Sequence, residues 1–227
     1  MSAVVVTGAS RGLGRYCAER LATLGHRVIG LSRTASADAP FEMRACNVGD
    51  AASVKDALAD LRRSTDVLAL VNAAGIASMN LLVTTPVSTV QRIVEVNLLG
   101  TIYCCQAVAP ALIRSGGGRI VNFSTIAVAL GLAGESVYAA SKAGVEGFSR
   151  AFAREMAGFN VTVNVIAPGP IDTELIAKVP REKIQAIVDR QVVPVQATPE
   201  DLWNVVSMLL SPEGRMISGQ VLHLGGA

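Results

Sequence analysis

Along the chain, short runs of β-branched and aliphatic residues alternate with longer stretches whose apolar positions recur every three or four residues. "AVVVT" at 3–7, "HRVIGLS" at 26–32, "FEMRACNV" at 41–48 and "DVLALVNAAG" at 66–75 predict strands. So do "GRIVNFS" at 118–124, "VTVNVIAP" at 161–168 and "GQVLHL" at 219–224, which makes seven. Most of these runs are apolar throughout rather than alternating, as a strand covered on both faces requires. Helical spacing predicts helices over 12–25, from Asp50 as N-cap to about Arg62, over 86–113, 136–158, 173–189 and 199–210. Thr85 is expected to cap the long helix whose first turn holds Pro86. Strands alternating with helices predict an α/β fold, a doubly wound parallel sheet with helices on both faces. No repeat, low-complexity tract or linker interrupts the pattern, so residues 1–227 are expected to form a single domain.

Composition removes several classes of function. A chain of 227 residues buries a sizeable single core, and 51% hydrophobic with 17% charged residues is not a disordered or fibrous composition. The net charge is +2 with scattered lysines and arginines, and aromatic residues are only 4%, so no nucleic-acid partner is expected. Cys17, Cys46, Cys104 and Cys105 show neither CxxC spacing nor a disulfide pattern. They read as buried small hydrophobes in a reducing compartment, and no metal is implied. The chain enters "AVVVTG" without a basic leader, and no run of about 18 apolar residues escapes a glycine or polar break. A soluble, cytoplasmic protein without membrane contact is expected.

Two short stretches carry candidate chemistry. "TGASRGLG" at 7–14 follows the first strand and opens a helix. Its glycines permit a tight turn that brings backbone N–H groups and the positive helix end up to a phosphate. The spacing, G-x3-G-x-G, is not the commonest dinucleotide fingerprint. In "SVYAASKAG", Tyr138 and Lys142 stand four residues apart, on one face of a helix. Alone, that pair reads first as ordinary packing on a helix face, with an acid and its neighbouring cation as the other reading.

"TGASRGLG", "NAAG" at 72–75, "YAASK" at 138–142 and "APGPIDT" at 167–173, in this order, resemble the short-chain dehydrogenase/reductase family, nearest the 3-oxoacyl-carrier-protein reductase type. The likeness covers essentially the whole chain. It implies a Rossmann-like sheet with ligands at the strand ends. It also implies a carbonyl reductase in which Tyr138 is the general acid. A lysine ammonium favours phenolate, so Lys142 is expected to lower the tyrosine's pKa from its ordinary value of about 10. By the same resemblance Lys142 holds the nicotinamide ribose, and Asn97 in "VNLLG" holds a water leading from the lysine toward solvent. The family's carbonyl-polarising serine lies thirteen residues before the tyrosine, where this chain has Thr125, with Ser124 one place earlier as the reserve. Threonine keeps the hydroxyl but adds a methyl beside the substrate.

For the cofactor, the resemblance implies contacts from Gly8, Ser10, Arg11, Gly12, Leu13 and Gly14 in the first turn, and from Ser32 and Arg33 after the second strand. It further implies Asn47 and Val48 at the adenine, with Asn72, Ala73, Ala74 and Gly75 near its ribose and Asn72 tying strands together. Pro168, Gly169, Ile171 and Thr173 would border the nicotinamide, with Tyr138 and Lys142. Ser32 replaces the acid usual in NAD-preferring members, and Arg11 and Arg33 add two cations, so NADP(H) is expected. The partner is a small-molecule carbonyl substrate, free or carried as a thioester, in a pocket between 126–137 and the segment after Pro170. Carrier-protein reductases place basic residues at turns flanking the pocket mouth; here those turns read "SGGG" and "AGFN", neutral in both places. A homotetramer or homodimer through 86–113, 136–158 and the last strand is implied. An NAD-linked alcohol or hydroxyacyl dehydrogenase, and a non-catalytic nucleotide sensor, remain the alternatives.

Overall fold

Seven parallel strands hydrogen-bond into one sheet in this computed structural model, which describes residues 2–35, 38–177 and 179–227. They are β1 (Ala3–Thr7), β2 (Arg27–Ser32), β3 (Glu42–Ala45), β4 (Val67–Asn72), β5 (Gly118–Phe123), β6 (Val161–Pro168) and β7 (Val221–Leu224). The order β3-β2-β1-β4-β5-β6-β7 reverses direction beside β1, so a crevice opens where β1 and β4 end. The helices are α1 (Gly12–Thr23), α2 (Ala51–Ala57), α3 (Val87–Val94), α4 (Gly100–Arg114), α5 (Ala127–Leu130), α6 (Ser136–Met156), α7 (Arg181–Val188) and α8 (Pro199–Leu210).

Side chains of one strand point alternately to the two faces, and each face has its own core. Val5, Ile29, Leu70, Ile120 and Val163 pack against α2, α4 and α6 through Val54, Cys104, Cys105, Val108, Leu112 and Ala153. Val4, Val6, Val28, Val71, Val121 and Ile166 pack against α1 and α8 through Cys17, Leu21, Leu202, Trp203 and Val206. All four cysteines are buried and free, and burial pushes the Cys17 and Cys105 thiols up to about 12. They are inert packing groups.

Local chemistry sets the element ends. Asp50 caps α2 by accepting from the Ala52 N–H at 2.9 Å. Thr198 and Asp201 form a reciprocal capping box at the start of α8, with Pro199 in its first turn. Two expected helices differ. The long helix is interrupted by a wide π-helical turn, Glu95–Leu99, between α3 and α4. Its cap is not Thr85: the Thr85 hydroxyl donates to Leu81 O at 3.0 Å, and Pro86, in extended conformation, precedes the first turn. The helix expected over 173–189, which crosses residue 178 outside the described set, is ordered as helix only from Arg181. Pro180 has no N–H and disfavours helical backbone in the residue before it. The segment Val87–Arg114 is long and apolar enough to cross a membrane, contrary to expectation, but half of that window is buried inside the protein. It is a core helix.

Candidate active site

The crevice begins with the turn between β1 and α1. Gly8 and Gly12 take φ of +69° and +56°, a region that L side chains rarely adopt. A Cβ on Gly8 would stand 2.9 Å from the Ala74 backbone, and one on Gly14 would run into the Gly8 carbonyl. The turn is thus packed against the end of β4, where the Thr7 hydroxyl accepts from Ala74 N–H at 3.0 Å. Above it lies a cavity of about 450 Å³.

Gly8, Ser10, Arg11, Gly12, Leu13 and Gly14 line this cavity along the turn, as the sequence led us to expect. Ser32 and Arg33 line it from the end of β2, Asn47 and Val48 beyond β3, and Ala73, Ala74 and Gly75 beyond β4. Tyr138, Lys142, Pro168 and Thr173 close its far end. Three expected contacts lie elsewhere. The Asn72 amide is buried inside the sheet, donating to Asn122 Oδ1 at 2.9 Å, so it ties β4 to β5 without facing the cavity. Gly169 and Ile171 line a neighbouring pocket instead. Residues not anticipated on the wall include Cys46, Arg92, Glu95 and Glu174. Nothing in the spacing of single side chains marks them: Cys46 and Glu174 arrive from connections between elements, and Arg92 and Glu95 from the end of α3 and the π-helical turn after it.

The cavity, with both polar and apolar walls, the Cβ-free turn and the helix start beneath it fit a dinucleotide. At the β2 end, the Ser32 hydroxyl donates to Thr34 O at 2.5 Å, while Arg11 and Arg33 are exposed on the rim. Among the described residues, the acids on the cavity wall are Glu95, from the π-helical turn, and Glu174, from the connection after β6.

At the far end, α6 buries Tyr138 and Lys142 one turn apart. The Lys142 ammonium donates to Phe123 O at 2.8 Å, at the end of β5. Asn97 sits on the π-helical turn, fully buried, with Oδ1 accepting from Ile76 N–H and Nδ2 donating to Ile76 O, both at 2.9 Å. The same Nδ2 donates to Ser141 Oγ at 3.0 Å. Asn97 therefore clamps the loop after β4 to α6. A Cβ on Gly75 would lie 3.4 Å from Lys142 Nζ and 3.5 Å from Asn97 Oδ1, so the glycine keeps a small polar space between them.

The two hydroxyls after β5 point differently. Ser124 donates to Glu146 Oε1 at 2.6 Å and is buried. The Thr125 hydroxyl accepts from the Ala127 N–H at 3.2 Å, and Thr125 favours the ionised form of the Tyr138 phenol. The electrostatics correct one expectation. Burial, with a smaller contribution from the Glu135 charge, pushes the Tyr138 phenol above its ordinary value, and only Thr125 opposes it. Lys142 does not lower it: its ammonium is held on the Phe123 carbonyl, and burial depresses its own pKa to about 8. In this dry cleft desolvation outweighs charge attraction.

Tyr138 also borders a second cavity of about 370 Å³. Its walls are Ile126, Ala127 and Leu132 on one side and Ile171, Leu175, Ile176, Val179, Ile184 and Ile187 on the other, the two segments expected. Thr125 and Glu135 also face it. The turns "SGGG" and "AGFN" do not flank this mouth. They touch each other, with Asn160 Nδ2 donating to Gly116 O at 3.2 Å, where β5 and β6 begin, at the opposite end of those strands.

Comparison with known proteins agrees with this geometry. Residues 8–226 match the family profile described as enoyl-(acyl carrier protein) reductase. The chain is 35% identical to the 3-oxoacyl-[acyl-carrier-protein] reductase FabG of Escherichia coli, over 98% of this chain and 95% of that protein. It is 36% identical to carbonyl reductase family member 4 of Danio rerio over the same shares. Among solved structures, the aldohexose dehydrogenase of Thermoplasma acidophilum superposes with a TM-score of 0.89 at 30% identity, covering 99% of this chain and 93% of that one.

Proposed function

The chain belongs to the short-chain dehydrogenase/reductase family, oxidoreductases of C=O and CH–OH groups, and on that premise we propose that it is an NADPH-dependent carbonyl reductase of a 3-oxoacyl or related ketone. The observation that carries this reading is the position of Tyr138, which borders both the dinucleotide-shaped cavity and the neighbouring pocket, with Thr125 on the wall of the latter.

When bound, the reduced nicotinamide supplies a hydride to the ketone carbon. The Tyr138 hydroxyl delivers its proton to the ketone oxygen, so that hydride and proton together make the alcohol. Burial keeps the phenol in its neutral form, the form that has a proton to give. Thr125 donates a hydrogen bond to the oxygen as its negative charge grows. Ser124, engaged with Glu146, has a supporting part. An ammonium has three donors, and with one on Phe123 O, Lys142 retains two for the ribose hydroxyls. Asn97 keeps the loop after β4 in register with α6 and bounds the polar space through which Lys142 would be resupplied with a proton. The turn from Gly8 to Gly14 would hold the pyrophosphate, Asn47 and Val48 the adenine, and Arg11 and Arg33 a 2′-phosphate.

The names of two relatives, a 3-oxoacyl-carrier-protein reductase and a carbonyl reductase, support reduction of a ketone. The likeness to an aldohexose dehydrogenase favours a second reading, oxidation of an alcohol. A cytoplasmic homotetramer or homodimer is part of the proposal. A Cβ at Gly147 on α6 would meet nothing within 4 Å, which leaves that helix face room for a second copy.

The test is NADPH oxidation with a panel of β-keto esters, quinones and cyclic ketones, repeated with NADH. Turnover with NADPH, and an Arg33→Ala variant whose preference for NADPH over NADH falls about tenfold through loss of a charged contact, are expected. Tight NADPH binding without turnover of any ketone rejects the enzyme reading. A preference for NADH rejects the cofactor.

A further inference from the structure

The apolar pocket contains one charge that the reaction does not use. Glu135 precedes α6 directly and is 7% exposed. Its backbone is engaged, with N–H donating to Leu132 O at 3.2 Å and O accepting from Ala139 N–H at 2.7 Å. Its side chain makes no capping bond to the helix it precedes. Among the described residues no hydrogen bond or ion pair reaches the carboxylate. Yet it faces the pocket with Thr125 and Tyr138, and it is the only acidic or basic residue, the phenol aside, among the described residues lining that pocket. Glu135 thus shares one pocket with Tyr138, and its charge raises the pKa of that phenol.

A desolvated carboxylate with no partner is unfavourable until it is protonated or meets a cation. Burial already raises the pKa of Glu135, which is the signature of a missing partner. Beside the hydroxyls of Ser124, Thr125, Tyr138 and Thr173 the wall is mostly aliphatic, so a complementary ligand has an apolar body, an oxygen for those hydroxyls and a single positive group. Resting on the carbonyl-reductase reading, we propose that Glu135 determines specificity: it selects ketones that carry a protonated amine near the carbonyl, and it excludes keto acids. The ammonium takes the carboxylate as partner, while the ketone oxygen reaches Tyr138 and Thr125. A keto acid would instead bring a second negative charge beside the first in a poorly screened pocket.

The test compares three rings of similar shape, piperidone, cyclohexanone and oxocyclohexane carboxylate, by kcat/KM with NADPH. Piperidone is expected to exceed cyclohexanone by about 10- to 100-fold, the factor of an ionic hydrogen bond, with the keto acid poorest. In Glu135→Gln that ratio should fall toward one, and Glu135→Asp should restore part of it. Binding of cyclohexylammonium and of cyclohexanol to the NADPH-bound protein, read by NMR titration, gives the same comparison without turnover. The ammonium should bind more tightly, and only while residue 135 is acidic. A ratio unchanged in Glu135→Gln, equal binding of amine and alcohol, or a keto acid used as well as piperidone overturns the proposal. If no ketone is turned over, the reductase reading fails, and the amine titration still decides the role of Glu135.

Discussion

The cavity over the first turn and the pocket beside it share Tyr138 but are built from different materials. The first is shaped by backbone: Gly8, Gly12 and Gly14 bring the main chain against β4, and short loops at the ends of β1, β2 and β4 complete the wall. The second is shaped by side chains from 126–135 and from the segment after Pro170, in which regular helix starts only at Arg181. Around that segment Leu175, Val192, Val193 and Val195 remain exposed, whereas every residue of β1 is buried. On the proposed reading, a common cofactor would be held by main-chain geometry, and the substrate would be chosen by a wall whose side chains can vary without disturbing the sheet.

The contrast is sharpest at the shared residue. Tyr138→Phe removes one oxygen from both cavities and should lower kcat by about 10²–10⁴-fold, the usual contribution of general acid catalysis. NADPH binding, read by fluorescence titration, should persist. Turnover near the wild-type rate would reject Tyr138 as the acid.

Gly14→Val attacks the backbone-built side. Its branched side chain would meet the Gly8 carbonyl, so the turn must open, at a cost of about 1–3 kcal/mol as for other overpacked sites. A lower thermal midpoint and a loss of NADPH affinity are expected together. The same valine introduced on the other side, as Ile184→Val, should leave both within error and alter only the ranking of ketones. Equal losses from the two variants would erase the distinction between the cavities.

The smallest expected effect concerns Lys142. Its folded-state pKa of about 8 lies below the unfolded value of about 10.4, so its desolvation penalty is present in full below pH 8. Between these values the unfolded chain binds a proton that the folded chain has released, and this contribution to stability rises with pH. The buried thiols and Tyr138, with raised pKa values, act in the opposite sense at alkaline pH. The lysine is therefore isolated by difference. The stability advantage of Lys142→Met over wild type should shrink from about pH 8 to 10 in denaturant titrations, and a constant difference would contradict the depressed pKa.

Strand and helix order, the two-faced core and the glycine turn were legible in one dimension because they depend on local spacing. An apolar run such as 161–168 has one way to be covered on both sides, and G-x3-G-x-G after a strand has few conformations. Tyr138 and Lys142 were legible for the same reason, being one helical turn apart. The interruption at Glu95–Leu99 was not, since it depends on Asn97 reaching Ile76 and Ser141, residues distant in the chain. Nor was the bond from Ser124 to Glu146, twenty-two residues on, or the place of Ser124 on both cavities and of Thr125 on one.

Glu135 illustrates the remaining gap. In the sequence it is one acid among small residues, and only the tertiary fold sets it in one pocket with Ile171, Leu175, Ile176 and Ile184, with no ion pair among the described residues. The amino-acid order alone determined the parallel sheet, the place of the dinucleotide-shaped turn and the reacting pair, because periodicity and short-range geometry suffice for them. How burial sets the phenol and ammonium pKa values, and that Glu135 lines one pocket with Thr125 and Tyr138, were decided by tertiary structure. Each depends on which distant groups exclude water from the same place.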